Sequence, residues 1–178
     1  MDQRLWEKCV EFHGHACPGL AIGCRAAEAA IERLGLKFSA DEEIVCVTEN
    51  DACGVDAIQV MTGCTAGKGN LIHRGTGKMA YSFFDRRSGR SLRVLKKMQP
   101  AADERSREEK IKYILEGPLE EIFSFSVPSY GLPPEAGIFT TVCCELCGEG
   151  APEPMMRLQN GKKVCLDCFK AYSRESAL

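Results

Sequence analysis

Apolar residues recur along this chain with two periods. Between residues 18 and 34, Leu20, Cys24, Ala27, Ile31 and Leu34 follow at steps of four, three, four and three, which is one stripe of an α-helix. Gly19, Ala21, Gly23, Ala26, Ala29 and Ala30 keep this helix thin enough to pack closely on a sheet or another helix, and Gly35 is a natural stop. Residues 2–11 predict a shorter helix with Leu5, Trp6, Cys9 and Val10 on one face, Asp2 as its cap and an end near Gly14. Residues 43–48 are mostly apolar and read as a central β-strand with Cys46 buried in it. A short helix is expected over 55–61, then strands over 70–73, 78–85 and 91–97, joined by turns at Gly75, Gly77 and Gly89. Residues 103–115 predict a helix, and 122–127 an edge strand. Prolines 128, 133 and 134 then break the pattern, so 133–137 is the expected linker. This order of elements predicts an α+β core over 1–135 and a small second domain over 136–178.

Composition narrows the class. The chain has 178 residues, 44% hydrophobic and 27% charged, as in a globular domain with a small appendage. A net charge of -2 gives no electrostatic case for nucleic acid or a membrane surface. Residues 1–11 hold Asp2, Glu7 and Glu11 without an apolar run, so no export signal is expected, and no stretch has the length of a membrane span. Eleven cysteines, an odd number without an export signal, point to metal ligands and free thiols in a reducing cytoplasm.

Two of the three histidines fall in one stretch, Phe12-His13-Gly14-His15-Ala16-Cys17-Pro18-Gly19. A nitrogen donor and a soft sulfur donor two residues apart suit zinc or another borderline transition ion. Cys17 precedes Pro18 and the alanine-rich helix, which predicts Cys17 as the N-cap and Pro18 as the first helical residue. The positive helix end there favours a thiolate, so Cys17 suits ligation or nucleophilic attack with His15 as base. Asp51 and Asp56, in and after the polar loop that follows the central strand, are candidates for acid–base work or for orienting ligands.

Two other segments carry weaker signals. Gly63-Cys-Thr-Ala-Gly-Lys68-Gly-Asn70 resembles a phosphate loop, but only three residues separate the first two glycines and Gly69 follows Lys68, so nucleotide hydrolysis is rejected. Lys68 is left with two readings, an anion-binding residue or part of a tight turn. Arg86, Arg87, Arg90, Arg93, Lys96 and Lys97 form a basic stretch without interleaved aromatics, read as a solvated strand face.

The tail has the sharpest spacing. Cys144-x-x-Cys147 and Cys165-x-x-Cys168 are separated by the 17 residues 148–164, which fits a four-cysteine structural zinc site. Gly148 suits the knuckle, Asn160-Gly161 marks a hairpin, and a terminal helix is expected from Phe169. That order predicts a treble-clef finger, with Cys143 as the spare thiol. So small a domain draws its folding free energy from the ion.

The motif at 12–19, Asp51-Ala-Cys53-Gly-Val-Asp56-Ala-Ile-Gln59, and Gly63 to Leu71 together resemble the FmdE family of formylmethanofuran dehydrogenase proteins over about residues 1–100. The resemblance implies a thioredoxin-like α+β core with a mixed sheet flanked by helices, to which some members add a treble-clef finger. It implies association with a molybdenum or tungsten enzyme that reduces carbon dioxide onto a C1 carrier in methanogenesis. It also implies a metal-binding active site at His13, His15 and Cys17, on which Cys53 and Cys64 of the other two motifs are expected to converge. No C-x-x-C pair precedes residue 144, which departs from a thioredoxin redox centre.

The leading expectation is a metal-binding accessory protein. Its core site would use His15, Cys17 and Cys53, with catalytic roles for Cys17, His15 and Asp51 if a reaction is run. Its partners would be formylmethanofuran dehydrogenase or another molybdenum or tungsten enzyme. The alternatives are an independent metalloenzyme whose small anionic or pterin-like substrate is read by Lys68, and a metal-delivery or interaction module without turnover. The thin alanine helix is compatible with a homodimer.

Overall fold

The computed structural model describes residues 1–98 and 104–172. They fall into two compact units, Met1–Ala136 and the residues from Gly137 onward.

The first unit opens with helix α1, Gln3–His13. The Asp2 carboxylate accepts from Arg4 N and Leu5 N, and Gly14 ends the helix in the left-handed conformation. Helix α2, Pro18–Leu34, has Cys17 as N-cap and left-handed Gly35 as its stop. Strand β1 (Ile44–Thr48), helix α3 (Gly54–Thr62), β2 (Leu71–His73), β3 (Ala80–Asp85) and β4 (Ser91–Lys96) follow, each close to its expected position. Helix α4 runs Arg107–Glu116, a short helix α5 covers Leu119–Ile122, and β5 is Phe123–Ser126.

The α4 start lies later than periodicity alone predicts. Ser106 and Glu109 form a reciprocal capping box, which fixes the first turn at Arg107; residue 103 lies outside the described residues. The four residues of α5 after Pro118 carry too short a pattern to be read from sequence.

The five strands form a mixed sheet in the order β2-β1-β3-β4-β5, with β1 parallel to β2 and every other pair antiparallel. Strand β1 is an interior strand, between β2 and β3, and is buried throughout because both its faces are covered. Ile44 and Cys46 face the main core, with Tyr81, Phe83, Val94 and Phe123 and the small residues of α2. Val45 and Val47 face the other way, onto Phe84, Ile72 and Tyr130. Arg86 secures the chain that follows β5 by donating to Pro133 O and Pro134 O at 2.9 and 3.0 Å.

The second unit holds two hairpins, β6 (Thr141–Cys143) with β7 (Gly150–Pro152), and β8 (Met156–Gln159) with β9 (Lys162–Cys165). Asn160 and Gly161 both take positive φ at the second turn, 52° and 77°, as a two-residue hairpin loop requires. The helix expected from Phe169 is not formed in the described part of that segment, through Tyr172. Its remainder lies outside the described residues.

Candidate metal centre

Two helix ends converge in the first unit. His13 is the last residue of α1, and Cys17 caps α2 with its sulfur accepting from Leu20 N at 3.3 Å. Left-handed Gly14 and the three residues after it turn the chain between the two helices. A donor atom from each of His13, His15 and Cys17 then lies within 4.8 Å of the others. His13 Nε2 is 4.0 Å from Cys17 Sγ, and the His13 and His15 ring centroids are 4.5 Å apart. Tetrahedral zinc, with bonds near 2.0 Å to nitrogen and 2.3 Å to sulfur, places such a pair about 3.5 Å apart. A small contraction therefore admits an ion.

The donor set fits a metal in a second respect. His13 Nδ1 meets Asp56 Oδ2 at 2.7 Å, while its Nε2 faces the sulfur. Metal-bound histidines characteristically pass their other ring N–H to a carboxylate, which fixes the tautomer and the ring plane. Asp56 is itself steadied by Gln59 Nε2 at 3.2 Å, one turn along α3.

Cys53 immediately precedes α3 and neighbours Cys17. A Cβ added at Gly19 would lie 3.7 Å from Cys53 Sγ and 3.8 Å from Cys17 Sγ. Burial, and next the adjoining Cys17 thiol, push the Cys53 thiol above its ordinary range.

Other expected residues lie apart from this group. Cys64 is fully buried, and its thiol donates to Ile44 O at 3.5 Å. Burial raises it to about 11. Its partner is the β1 carbonyl, and it is not among the donors grouped with His13, His15 and Cys17 in the described residues. Lys68 Nζ donates to Ser39 O at 2.8 Å and Ala40 O at 3.4 Å, which pins the Gly63–Asn70 loop as a turn. Asp51 is exposed and makes no hydrogen bond or ion pair among the described residues; the carboxylate at the histidines is that of Asp56. Cys24 and Cys46 are buried, as expected of core positions.

The basic stretch along β4 has structural partners. Arg93 Nε meets Glu49 Oε1 at 2.6 Å at the end of β1, and Arg90 donates to Leu34 O at 3.2 Å. The Glu49 carboxyl is held below its usual range, first by its hydrogen bonds from Arg93. The sequence pattern points to chemistry in the loop that begins with Glu49; the structure places a partly buried ion pair there, formed by residues 44 apart.

In the second unit the sulfurs of Cys144, Cys147, Cys165 and Cys168 lie within 4.8 Å of one another. Cys147 Sγ and Cys165 Sγ are 3.8 Å apart, and a tetrahedral zinc–thiolate site places sulfurs about 3.8 Å apart. Backbone N–H groups of Cys147, Cys165 and Leu146 lower the Cys144 thiol to about 6. The Cys165 and Cys147 thiols push Cys168 up to about 12. Cys143, on β6 opposite Gly150, is exposed and outside the group.

Residues 137–174 match the prokaryotic dksA/traR C4-type zinc finger. The crystal structure of a tungsten formylmethanofuran dehydrogenase FmdE-like protein from Syntrophus aciditrophicus superposes with a TM-score of 0.67 and 27% identity, covering 91% of this chain and 88% of that one. A probable S-adenosyl-L-methionine-binding protein of Archaeoglobus fulgidus is 31% identical over 95% of this chain, which spans about half, 53%, of that relative's length. No helix among the described residues is long and apolar enough to cross a membrane. Residues 12–124 match the family described as FmdE, molybdenum formylmethanofuran dehydrogenase operon; with well over half of the chain covered, this protein belongs to the FmdE family.

Proposed function

We propose that this chain is a metal-binding protein of the FmdE type with two different metal sites. His13, His15 and Cys17 hold a transition ion, zinc first by donor type, in the first unit. Three protein donors leave a fourth position, which Cys53 closes or a water or small ligand takes. An ion with an exchangeable position supplies Lewis-acid chemistry when bound. The chain's own residues divide the remaining work. Asp56 holds the proton on His13 Nδ1 and turns Nε2 inward. Leu20 N–H steadies the Cys17 sulfur.

The four cysteines of the second unit hold a structural zinc without an open position. The knuckle and hairpin support reading it as a treble clef. The parallel β1–α3–β2 unit beside the antiparallel β3–β4 pair supports a thioredoxin-like reading of the core. An accessory role beside a molybdenum or tungsten formylmethanofuran dehydrogenase has the family's name as its support, and the eleven cysteines suit a reducing cytoplasm.

The observation that carries this proposal is the meeting of the α1 and α2 ends, which brings three soft or borderline donors within 4.8 Å. Metal analysis of the purified full-length chain tests it. Two ions per chain are expected, falling to one in Cys17→Ser with the circular dichroism unchanged. A wild-type chain that holds a single ion, unaffected by Cys17→Ser, overturns the core site.

A further inference from the structure

An open cavity of about 660 Å³ is lined by residues of α2, β4 and α4. Pro18, the residue after Cys17, forms part of its wall. Its floor is apolar, made by Ile22 of α2, Leu95 of β4 and Ile114 of α4. Lys78, Lys96, Lys97 and Lys110 stand around it, and its described lining residues include no Asp or Glu. Lys97 Nζ donates to a backbone carbonyl, Glu120 O, which orients the ammonium without cancelling its charge. Lys78 lies in the field of Glu49, but that carboxylate is already paired with Arg93. The volume is that of a small-ligand site, roughly 300–1,000 Å³, and an apolar floor with a few charged groups is the usual composition of one. The positive end of α2 adds to the same sign of potential.

We propose that this cavity binds one small organic anion, with its apolar body on Ile22 and Ile114 and its acidic group among the lysines. Binding needs only the cavity. What the ligand does there rests on the metal reading above, because Pro18 places it next to the ion that Cys17 would hold.

The test uses the full-length, zinc-loaded chain and an anionic aromatic probe, 8-anilinonaphthalene-1-sulfonate. One saturable site per chain is expected. Lys78→Glu combined with Lys110→Glu should weaken it by about tenfold or more, the effect of a charged contact turned repulsive. Ile22→Trp should fill the floor and abolish binding. The uncharged counterpart N-phenyl-1-naphthylamine should respond to Ile22→Trp and ignore the lysine changes. Octanoate should displace the sulfonate probe, and inorganic phosphate at equal concentration should not.

Probe binding that the lysine changes leave intact overturns the proposal. So does displacement by phosphate as readily as by octanoate. If Ile22→Trp fails to fold, the lysine pair and the displacement series still decide. Cys17→Ser separates the two readings. A variant that keeps all its metal while the probe still binds at the cavity removes the metal centre and leaves the anion site standing.

Discussion

Gly23 of α2 and Gly54 of α3 meet backbone to backbone. A Cβ added at Gly23 would lie 2.6 Å from the Gly54 carbonyl carbon, and one at Gly54 would lie 2.9 Å from Gly19 O. Only glycine lets the two helices cross this closely, and the crossing holds Cys17, at the start of α2, beside Cys53, at the start of α3. Gly23→Ala must push the helices apart against a packed core. We expect it to cost about 3 kcal/mol in urea denaturation, at the upper end of overpacking effects. The core ion should be lost at lower chelator concentration than in the wild type. A stability unchanged within error would show that the crossing is not fixed by this contact.

In the proposed core site, Asp56 would act on an ion only through His13. Its carboxylate is about one-third exposed, so Asp56→Asn should leave the fold intact. Loss of the oriented ring should lower core-metal affinity by about 10- to 100-fold, the usual effect of removing such a partner. Competition with a chromophoric chelator measures this, and the four-cysteine site serves as the internal reference.

Cys64 and Cys17 make opposite predictions although both lie within the residues that match the family. Cys64→Ala removes a buried thiol and its contact with Ile44 O, so about 1–2 kcal/mol of stability should go while both ions remain. Cys17→Ser should cost one ion and little stability. Metal counting and denaturation on the same two variants give the cross-check, and an ion lost from Cys64→Ala would contradict the placement of that thiol.

The Glu49–Arg93 pair gives the stability a pH dependence. Arg93 lowers the folded-state value of Glu49 below the unfolded one, about 4.3. Its contribution is therefore present in full above the unfolded value and is lost as pH falls through the folded value. Near neutral pH, Glu49→Gln should destabilise by about 2–3 kcal/mol, because it leaves a largely buried guanidinium without its charged partner. The gap between variant and wild type should close in strong acid. Urea midpoints at both pH values test the sign, and a gap that widens in acid would refute it.

Cys147→Ser removes one of the four proposed zinc ligands from a unit with little core of its own: among the described residues, Cys144, Val164 and Cys165 are its buried cluster. Its folding should then fail, because the ion supplies the free energy. Limited proteolysis should cut within residues 137–172 of the variant and leave the first unit whole.

Much of this protein follows from local pattern. The α2 stripe, the Cys17 cap with Pro18 behind it, the Gly35 stop and the paired C-x-x-C motifs rest on interactions within a few residues or on one recognisable spacing. Such features are legible in sequence because their physics is short-range. The α4 start is legible too, in Ser106 and Glu109, because a capping box outweighs hydrophobic period in setting the first turn.

Tertiary structure decided what lies between distant segments. Cys17, Cys53 and Cys64 are alike as thiols in the sequence, yet the crossing of α2 over α3 places Cys53 at Cys17, while Cys64 lies against Ile44 O of β1. Asp56 and His13 meet across 43 residues, and the lysines around the cavity come from separate elements. Sequence determined which donors and charges the chain carries and which local elements hold them. Packing geometry decided which of them face one another, because burial and backbone approach act on whole surfaces whose partners no local pattern names.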